Sequence, residues 1–196
     1  MSYQRAEKEA IQRRFQDEPR RFIQVIYGPR QVGKTTLVRQ VIRDLNYPYA
    51  LVAADAVAAT DQIWIAQQWE NARTKQQLSP QSPYLLVIDE VQKIDNWSEQ
   101  VKAEWDRDTM ENRDIRVILL GSSRLMLQRG LTESLAGRFE STYLGHWSYR
   151  EMKAAFGLTP EEYIWFGGYP GAITLKDDED RWKAYVRDSL LETSIS

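Results

Sequence analysis

Residues 22–36 read FIQVIYGPRQVGKTT, and this stretch decides the fold. The segment 22–27 is rich in β-branched and aromatic residues, which predicts a strand. The next residues, 28–35, match the pattern G-x-x-x-x-G-K-[ST], and a helix is predicted over 34–45. A strand, a glycine-containing loop and a helix in this order predict a phosphate-binding loop in an α/β protein.

Each part of this loop has a predicted role. The two glycines let the backbone turn tightly, so that its N–H groups point at phosphate oxygens, and the helix N-terminus adds a favourable dipole. Lys34 is expected to reach the β- and γ-phosphates, and the Thr35 hydroxyl is expected to bind Mg²⁺. The predicted nucleotide-binding residues are Gly28, Pro29, Arg30, Gln31, Val32, Gly33, Lys34, Thr35 and Thr36.

Two acids follow a second apolar segment. Residues 84–88 read YLLVI, a nearly continuous apolar strand, and Asp89 and Glu90 come next. Ligands of open α/β sheets bind beyond the carboxyl ends of the strands, so both acids should face the phosphate loop. Asp89 is the candidate that holds Mg²⁺, and Glu90 is the candidate base for a water that attacks the γ-phosphate. The alternative is that the pair merely caps the following segment.

A third strand end carries polar residues. The apolar segment 115–120 is followed by Gly121, Ser122 and Ser123. The acidic pair favours an ATPase with an additional strand between the phosphate-loop strand and the acidic strand, and 115–120 is the candidate. Ser122 or Ser123 would then contact the γ-phosphate or the attacking water. Either serine could instead be the N-cap of the next helix.

The whole chain alternates strands and helices until about residue 147. Further strands are predicted over 49–53 and 140–144, and helices over 5–16, 61–77 and 97–110. The predicted fold is therefore an α/β P-loop NTPase, a parallel five-stranded sheet flanked by helices. Helices over 148–156, 160–166 and 178–193 form a small C-terminal lid. We assign 1–147 to the core and 148–196 to the lid, and expect a longer protein with a further C-terminal domain.

Composition excludes several other classes of protein. The 196 residues contain no cysteine and one histidine, His146, so thiolate chemistry and multi-histidine metal sites are excluded within this chain. The net charge of −2 offers no general attraction to nucleic acid, and the arginine pairs at 13–14 and 20–21 favour such a contact only weakly. The apolar runs are too short to span a bilayer, and the N-terminus lacks a signal peptide, which predicts a cytoplasmic protein without membrane contact.

The motifs GPRQVGKTTL, LLVIDEVQK, GSSRLML, SLAGRF, GHWSYREM and GGYPGAI, in this order, resemble predicted bacterial and archaeal ATPases of the AAA type. In that family the AAA domain precedes a C-terminal domain of unknown function. The resemblance covers nearly the whole chain and implies ATP binding and Mg²⁺-dependent hydrolysis for an unknown protein client. Family members often carry another serine where this chain has Arg124, so the details of the serine turn differ.

Two further residues gain candidate roles from the resemblance. Pro170, in the turn GGYPG, corresponds to a lid proline that packs against adenine, although glycine and proline also make simple turns. Arg138 could act as an arginine finger for a neighbouring subunit, which would require a homo-oligomer, or could form an ion pair or fix the lid. A non-catalytic nucleotide switch or scaffold and a small-molecule P-loop kinase are the alternative functions.

Overall fold

The computed structural model describes residues 3–18, 20–79, 83–122 and 134–191. Its centre is a five-stranded parallel sheet with the strand order β2-β3-β4-β1-β5. The strands are β1 (Ile23–Tyr27), β2 (Tyr49–Ala53), β3 (Tyr84–Asp89), β4 (Ile115–Gly121) and β5 (Phe139–Tyr143).

The strand order confirms the predicted fold class. β4 pairs with β1 on one side and with β3 on the other, so the additional strand lies between the phosphate-loop strand and the acidic strand. The register aligns Tyr27 with Gly121, and Ala53 with Asp89. Because all strands are parallel, their carboxyl ends meet at one edge of the sheet.

Helices cover both faces of this sheet. These helices are α1 (Glu7–Asp17), α2 (Lys34–Leu45), α3 (Trp64–Gln77) and α4 (Trp97–Met110). The helices α5 (Tyr149–Phe156), α6 (Pro160–Phe166) and α7 (Glu179–Tyr185) follow β5. The apolar residues of α1 and α2 pack with alternate residues of β1, β3 and β4 on one face. Those of α3 and α4 pack with the remaining residues of the same strands on the other. The central strands are mostly apolar because both of their faces are covered, with Gln24 in β1 and Arg116 in β4 as buried polar exceptions.

The buried tryptophans mostly belong to this core. Trp69, Trp97 and Trp105 are at most 5% exposed, and Trp69 donates its indole N–H to the buried carboxylate of Asp108. Trp165, on α6, differs because it is 58% exposed.

The chain after β5 forms the helical lid. Ser148 with Glu151, and Thr159 with Glu162, form capping boxes that begin α5 and α6. The lid has a small apolar cluster of its own, built around Met152, which connects to the core through Trp147. Among the described residues, no helix has the length and apolar character needed to cross a membrane.

Most predicted boundaries agree with the structure to within a residue or two, and two helices are shorter than predicted. Helix α3 begins at Trp64 rather than at residue 61, because the Asp61 carboxylate accepts the N–H groups of Ile63 and Trp64 and forms a turn there. The predicted helix 178–193 is α7 followed by a π-helical turn, Val186–Leu191.

Candidate functional site

The loop between β1 and α2 depends on glycine at two places. A Cβ atom on Gly28 would lie 2.0 Å from the carbonyl oxygen of Leu144, so only glycine allows the backbone just after β1 to pass this close to the backbone just after β5. Gly33 has a left-handed backbone, φ 93° and ψ 25°, at the N-cap of α2. Together they fix the turn that brings the chain from the sheet edge into the first turn of α2.

Lys34 is buried within this loop. It is 7% exposed, and its ammonium group donates to the carbonyl oxygens of Gly28 (3.0 Å) and Pro29 (2.7 Å). Burial lowers the pKa of Lys34, although the charges of Glu90 and Asp89 act in the opposite direction. An anion at the loop would therefore stabilise the charged lysine, as the phosphate-binding role requires.

Thr35 and Asp89 meet at the carboxyl edge of the sheet. The Thr35 hydroxyl donates to Asp89 Oδ2 at 2.9 Å, and the other oxygen of this carboxylate accepts the N–H of Glu90 at 2.9 Å. The structure therefore brings together the two residues that the sequence predicts as metal ligands. Among the described residues, no group of three or more His, Cys, Asp or Glu side chains could hold a metal.

The Thr35 hydroxyl and the Asp89 carboxylate are suitable ligands for magnesium. Mg²⁺ prefers hard oxygen ligands and usually takes one or two protein groups together with phosphate oxygens and water. A hydroxyl and a carboxylate in direct contact next to a phosphate loop are such a set. Thr35 and Asp89 would hold the ion jointly with a bound nucleotide.

Glu90 follows Asp89 in a left-handed backbone conformation, φ 53°, which is unusual for a residue other than glycine. Its carboxylate accepts a hydrogen bond from the side-chain amide of Gln92, two residues further along the chain. The backbone N–H of Lys93 donates to the Glu90 carbonyl at 3.0 Å. The strand end is thus fixed by local contacts, with the glutamate side chain at the rim of the cavity described next.

A cavity of about 460 Å³ joins the loop to the acidic strand end, and we call it the phosphate cavity. Its wall carries both basic and acidic side chains. Its lining residues are Arg30, Gln31, Gly33, Lys34, Thr35, Thr36, Asp55, Asp89, Glu90 and Lys93.

A second cavity, of about 550 Å³, lies on the other side of the same loop, and we call it the apolar cavity. It shares Gln31, Gly33 and Thr36 with the phosphate cavity, so the two spaces adjoin. The lid contributes Phe156, Pro170, Gly171 and Tyr185, the N-terminal segment contributes Tyr3 and Arg5, and α2 contributes Leu37 and Gln40.

The lid contacts the loop directly at this cavity. The Tyr185 hydroxyl, on α7, donates to the side-chain oxygen of Gln31. Pro170 lies in the same wall, where a flat apolar base could pack against it. The predicted adenine contact is therefore next to the phosphate loop, on the side away from the acids.

Of the predicted catalytic residues that the structure describes, Ser122 and Arg138 line neither cavity. Ser122 follows β4 between the loop and Asp89, but is not among the described residues that line the phosphate cavity. Ser123 lies outside the described residues.

Arg138 lies at the opposite edge of the sheet, where its carbonyl accepts the N–H of Ile23 at the start of β1. Its guanidinium forms a two-pronged ion pair with Asp106, at 2.7 and 2.9 Å, and these hydrogen bonds raise the pKa of Arg138. It cannot reach the phosphate cavity of its own chain, so a finger role would act only on a neighbouring subunit.

Sequence reasoning missed most of the apolar cavity. Tyr3, Trp147, Phe156 and Tyr185 come from three separate segments, and no spacing relates them. The one sequence feature that pointed to this cavity was the position of Trp147, four residues after the end of β5, the strand that pairs with β1. The Asp55–Lys93 ion pair at the rim of the phosphate cavity was also missed; the two residues follow the ends of β2 and β3.

Two of the N-terminal arginines, Arg14 and Arg20, form contacts within the fold. The Arg20 guanidinium stacks 4.1 Å from the Trp105 ring and donates to the carbonyl oxygens of Trp105 and Ile115. Arg14 pairs with Glu140 at 3.1 Å. These contacts favour a structural role over nucleic-acid binding for these two residues.

Comparison with known proteins agrees with this geometry. The family model described as "AAA domain" matches residues 20–153, which is more than half of the 196 residues. No curated protein matches the chain. The matched range contains the loop, both acids, the additional strand and Arg138, whereas Pro170 and Tyr185 lie beyond it. The chain therefore belongs to the AAA domain family, whose members bind nucleotides at a P-loop.

Proposed function

We propose that this chain binds ATP with Mg²⁺ and hydrolyses it, and that the ATP cycle moves the helical lid to act on a protein client. The observation that carries the proposal is the contact between Thr35 and Asp89 across the phosphate cavity, with Lys34 and Glu90 in the same wall. This arrangement supplies a cation for the phosphates, oxygen ligands for the metal, and a carboxylate for water.

The adjoining cavities support a nucleoside triphosphate rather than a simple phosphate. The triphosphate would lie along the loop, and the base would enter the apolar cavity, between Pro170 on the lid and Leu37 on α2. Burial of an aromatic base in an apolar wall is favourable, and the few polar groups there would set its orientation. The position of β4, between β1 and β3, favours an ATPase.

The proposed reaction uses the groups of the phosphate cavity. Lys34 and the loop N–H groups stabilise the charge of the β- and γ-phosphates. Bound Mg²⁺ would neutralise charge that develops on the phosphate oxygens. Glu90 would accept a proton from water as the water oxygen bonds to the γ-phosphorus and the bond to ADP breaks, giving ADP and inorganic phosphate.

A Glu90→Gln variant tests the proposed base. The amide keeps the size of the side chain but cannot accept the proton, so we expect ATP binding to be unchanged and phosphate release to fall by about 100-fold or more. Lys34→Ala, which removes the buried ammonium, is the comparison and should lose binding itself. Phosphate release from Glu90→Gln at the wild-type rate would exclude Glu90 as the base.

The same assay separates the alternative functions. ATP binding without phosphate release, even at high protein concentration, would favour the non-catalytic switch. Transfer of the phosphate to a small acceptor, detected by mass, would favour the kinase. Arg138 requires a separate comparison: as a finger acting between subunits, Arg138→Ala should lower turnover in an oligomer while each chain still binds ATP.

A further inference from the structure

Trp147 lies at the point where the core passes into the lid. Its backbone N–H donates to the Gly168 carbonyl at 3.0 Å, and its own carbonyl accepts the Tyr163 hydroxyl at 2.9 Å. A Cβ atom on Gly168 would lie 2.2 Å from the Trp147 carbonyl oxygen, so the lid turn packs directly on this residue. The backbone of Trp147 is therefore held by the lid on two sides.

Its indole ring borders the apolar cavity. The ring centroid is 5.2 Å from that of Tyr3 and 5.9 Å from that of Phe156, and Trp147 is only 8% exposed. The Arg5 guanidinium lies 5.7 Å from the same ring. The ring thus joins the N-terminal segment and the lid on one side of the predicted base site.

The indole N–H points at the phosphate loop. It donates to the backbone carbonyl of Val32 at 2.9 Å, in a buried position. A trans peptide is planar, so its carbonyl and its N–H point in opposite directions. With the Val32 carbonyl held by the indole, the N–H of Gly33 points away from Trp147, and Gly33 itself lines the phosphate cavity.

The Gly33 side of this peptide has little to hold it. Gly33 has φ 93°, no side chain, and no heavy atom within 4 Å of a Cβ built on it, so no packing in that direction restrains the peptide. We propose that Trp147 is a positioning residue whose indole N–H locks the Val32–Gly33 peptide and aims the Gly33 N–H at a nucleotide phosphate. This inference rests on the proposed nucleotide binding and assigns one residue to its control.

The Trp147→Phe variant tests the lock, because it keeps an aromatic ring and removes the N–H donor. We expect affinity for ATP and ADP to fall about tenfold, as one buried hydrogen bond and a fixed phosphate donor are lost, while affinity for adenosine stays within about twofold. The matched control is Trp165→Phe on the exposed part of α6, which should leave all three affinities unchanged. Equal weakening of adenosine and ATP would assign Trp147 a packing role only and overturn the proposal.

A second measurement needs no variant and applies if Trp147→Phe does not fold. In ¹⁵N-labelled wild-type protein, the Trp147 indole proton should exchange with solvent much more slowly than that of Trp165. ATP should shift the Gly33 amide signal, and adenosine should not. Rapid exchange of the Trp147 indole proton, or an equal shift of the Gly33 amide signal with adenosine, would refute the proposal that Trp147 holds this peptide. Failure of wild-type protein to bind any adenine nucleotide would instead refute the proposed function.

Discussion

Substitution of Gly28 by alanine tests how the fold builds the loop. The added Cβ would lie 2.0 Å from the carbonyl oxygen of Leu144 and 2.9 Å from its carbon, and both are backbone atoms. Ordinary contact begins at 3.4 Å, so the ends of β1 and β5 must separate by about 1.4 Å. The hydrogen bond from the Leu144 N–H to the Tyr27 carbonyl, 2.7 Å long, resists this separation.

The magnitude follows from two terms. Forced overpacking costs about 1–3 kcal/mol, and holding a residue with a Cβ in a sparsely populated backbone region, here φ 156°, costs about 1–3 kcal/mol. We therefore expect the free energy of unfolding of Gly28→Ala to fall by about 3 kcal/mol, and the melting temperature to fall by about 6–12 °C. A loop displaced by about 1 Å should also lower turnover on the order of 100-fold.

The assay compares Gly28→Ala with Gly157→Ala in thermal unfolding and in ATP binding. Gly157 has φ 72° after α5 and no heavy atom within 4 Å of a built Cβ, so its substitution carries the conformational cost alone. We expect about 1–2 kcal/mol of destabilisation and unchanged ATP affinity for this control. Equal destabilisation of the two variants, with ATP affinity retained in both, would refute the close approach at Gly28.

Three further predictions concern buried or bridging groups. Asp108→Asn removes the negative charge that pairs with the buried Arg73, so chemical denaturation should give a free energy of unfolding lower by about 3 kcal/mol. Glu111→Gln, which alters an exposed ion pair, is the control and should leave the free energy of unfolding unchanged. Burial lowers the pKa of Lys34, so the buried charge destabilises the folded protein fully below the folded-state pKa, and stability increases as pH rises from there towards 10.5. Lys34→Met should abolish ATP binding, raise the melting temperature at neutral pH and remove the increase in stability at alkaline pH. An unchanged or lower melting temperature would contradict the burial argument. Tyr185→Phe removes the hydroxyl that reaches the loop, so stopped-flow displacement should give ATP dissociation faster by about two- to tenfold, and an unchanged rate would mean that this contact does not hold the lid.

The sheet could be predicted because its signals are local. Each central strand is a short, mostly apolar run bounded by turn residues, and the phosphate-loop pattern marks where the first strand ends. The acidic pair then indicated the place of β4, because a glutamate beside the aspartate favours an ATPase with an additional strand between the loop strand and the acidic strand. These inferences use residues close together in the chain, where pattern and structure are tightly linked.

The apolar cavity could not be predicted in the same way. Tyr3 and Tyr185 lie near opposite ends of the chain and meet only because the lid folds back over α2. The pairing of Arg138 with Asp106 has a similar cause: it depends on how α4 crosses the start of β5, which no sequence spacing encodes. The seven tryptophans gave no indication that one of them would bind the loop rather than the core.

Trp147 is the last residue of the proposed ATPase core, and its hydrogen bonds join this core to the C-terminal helices. Trp147 is bonded to Gly168 in the lid through its backbone and to Val32 in the loop through its side chain. Movement of the lid would therefore be transmitted to the loop through the Trp147 side chain, beside the contact between Tyr185 and Gln31. This is a physical route by which the ATP cycle and the position of the lid could be coupled.

Isothermal titration calorimetry of the wild-type protein with ATP and Mg²⁺ tests the central claim most directly. We expect a saturable heat with one nucleotide per chain, and its loss in a folded Lys34→Ala variant. Folded wild-type protein that gives no binding heat with ATP or ADP in the presence of Mg²⁺, at several temperatures, would contradict the account.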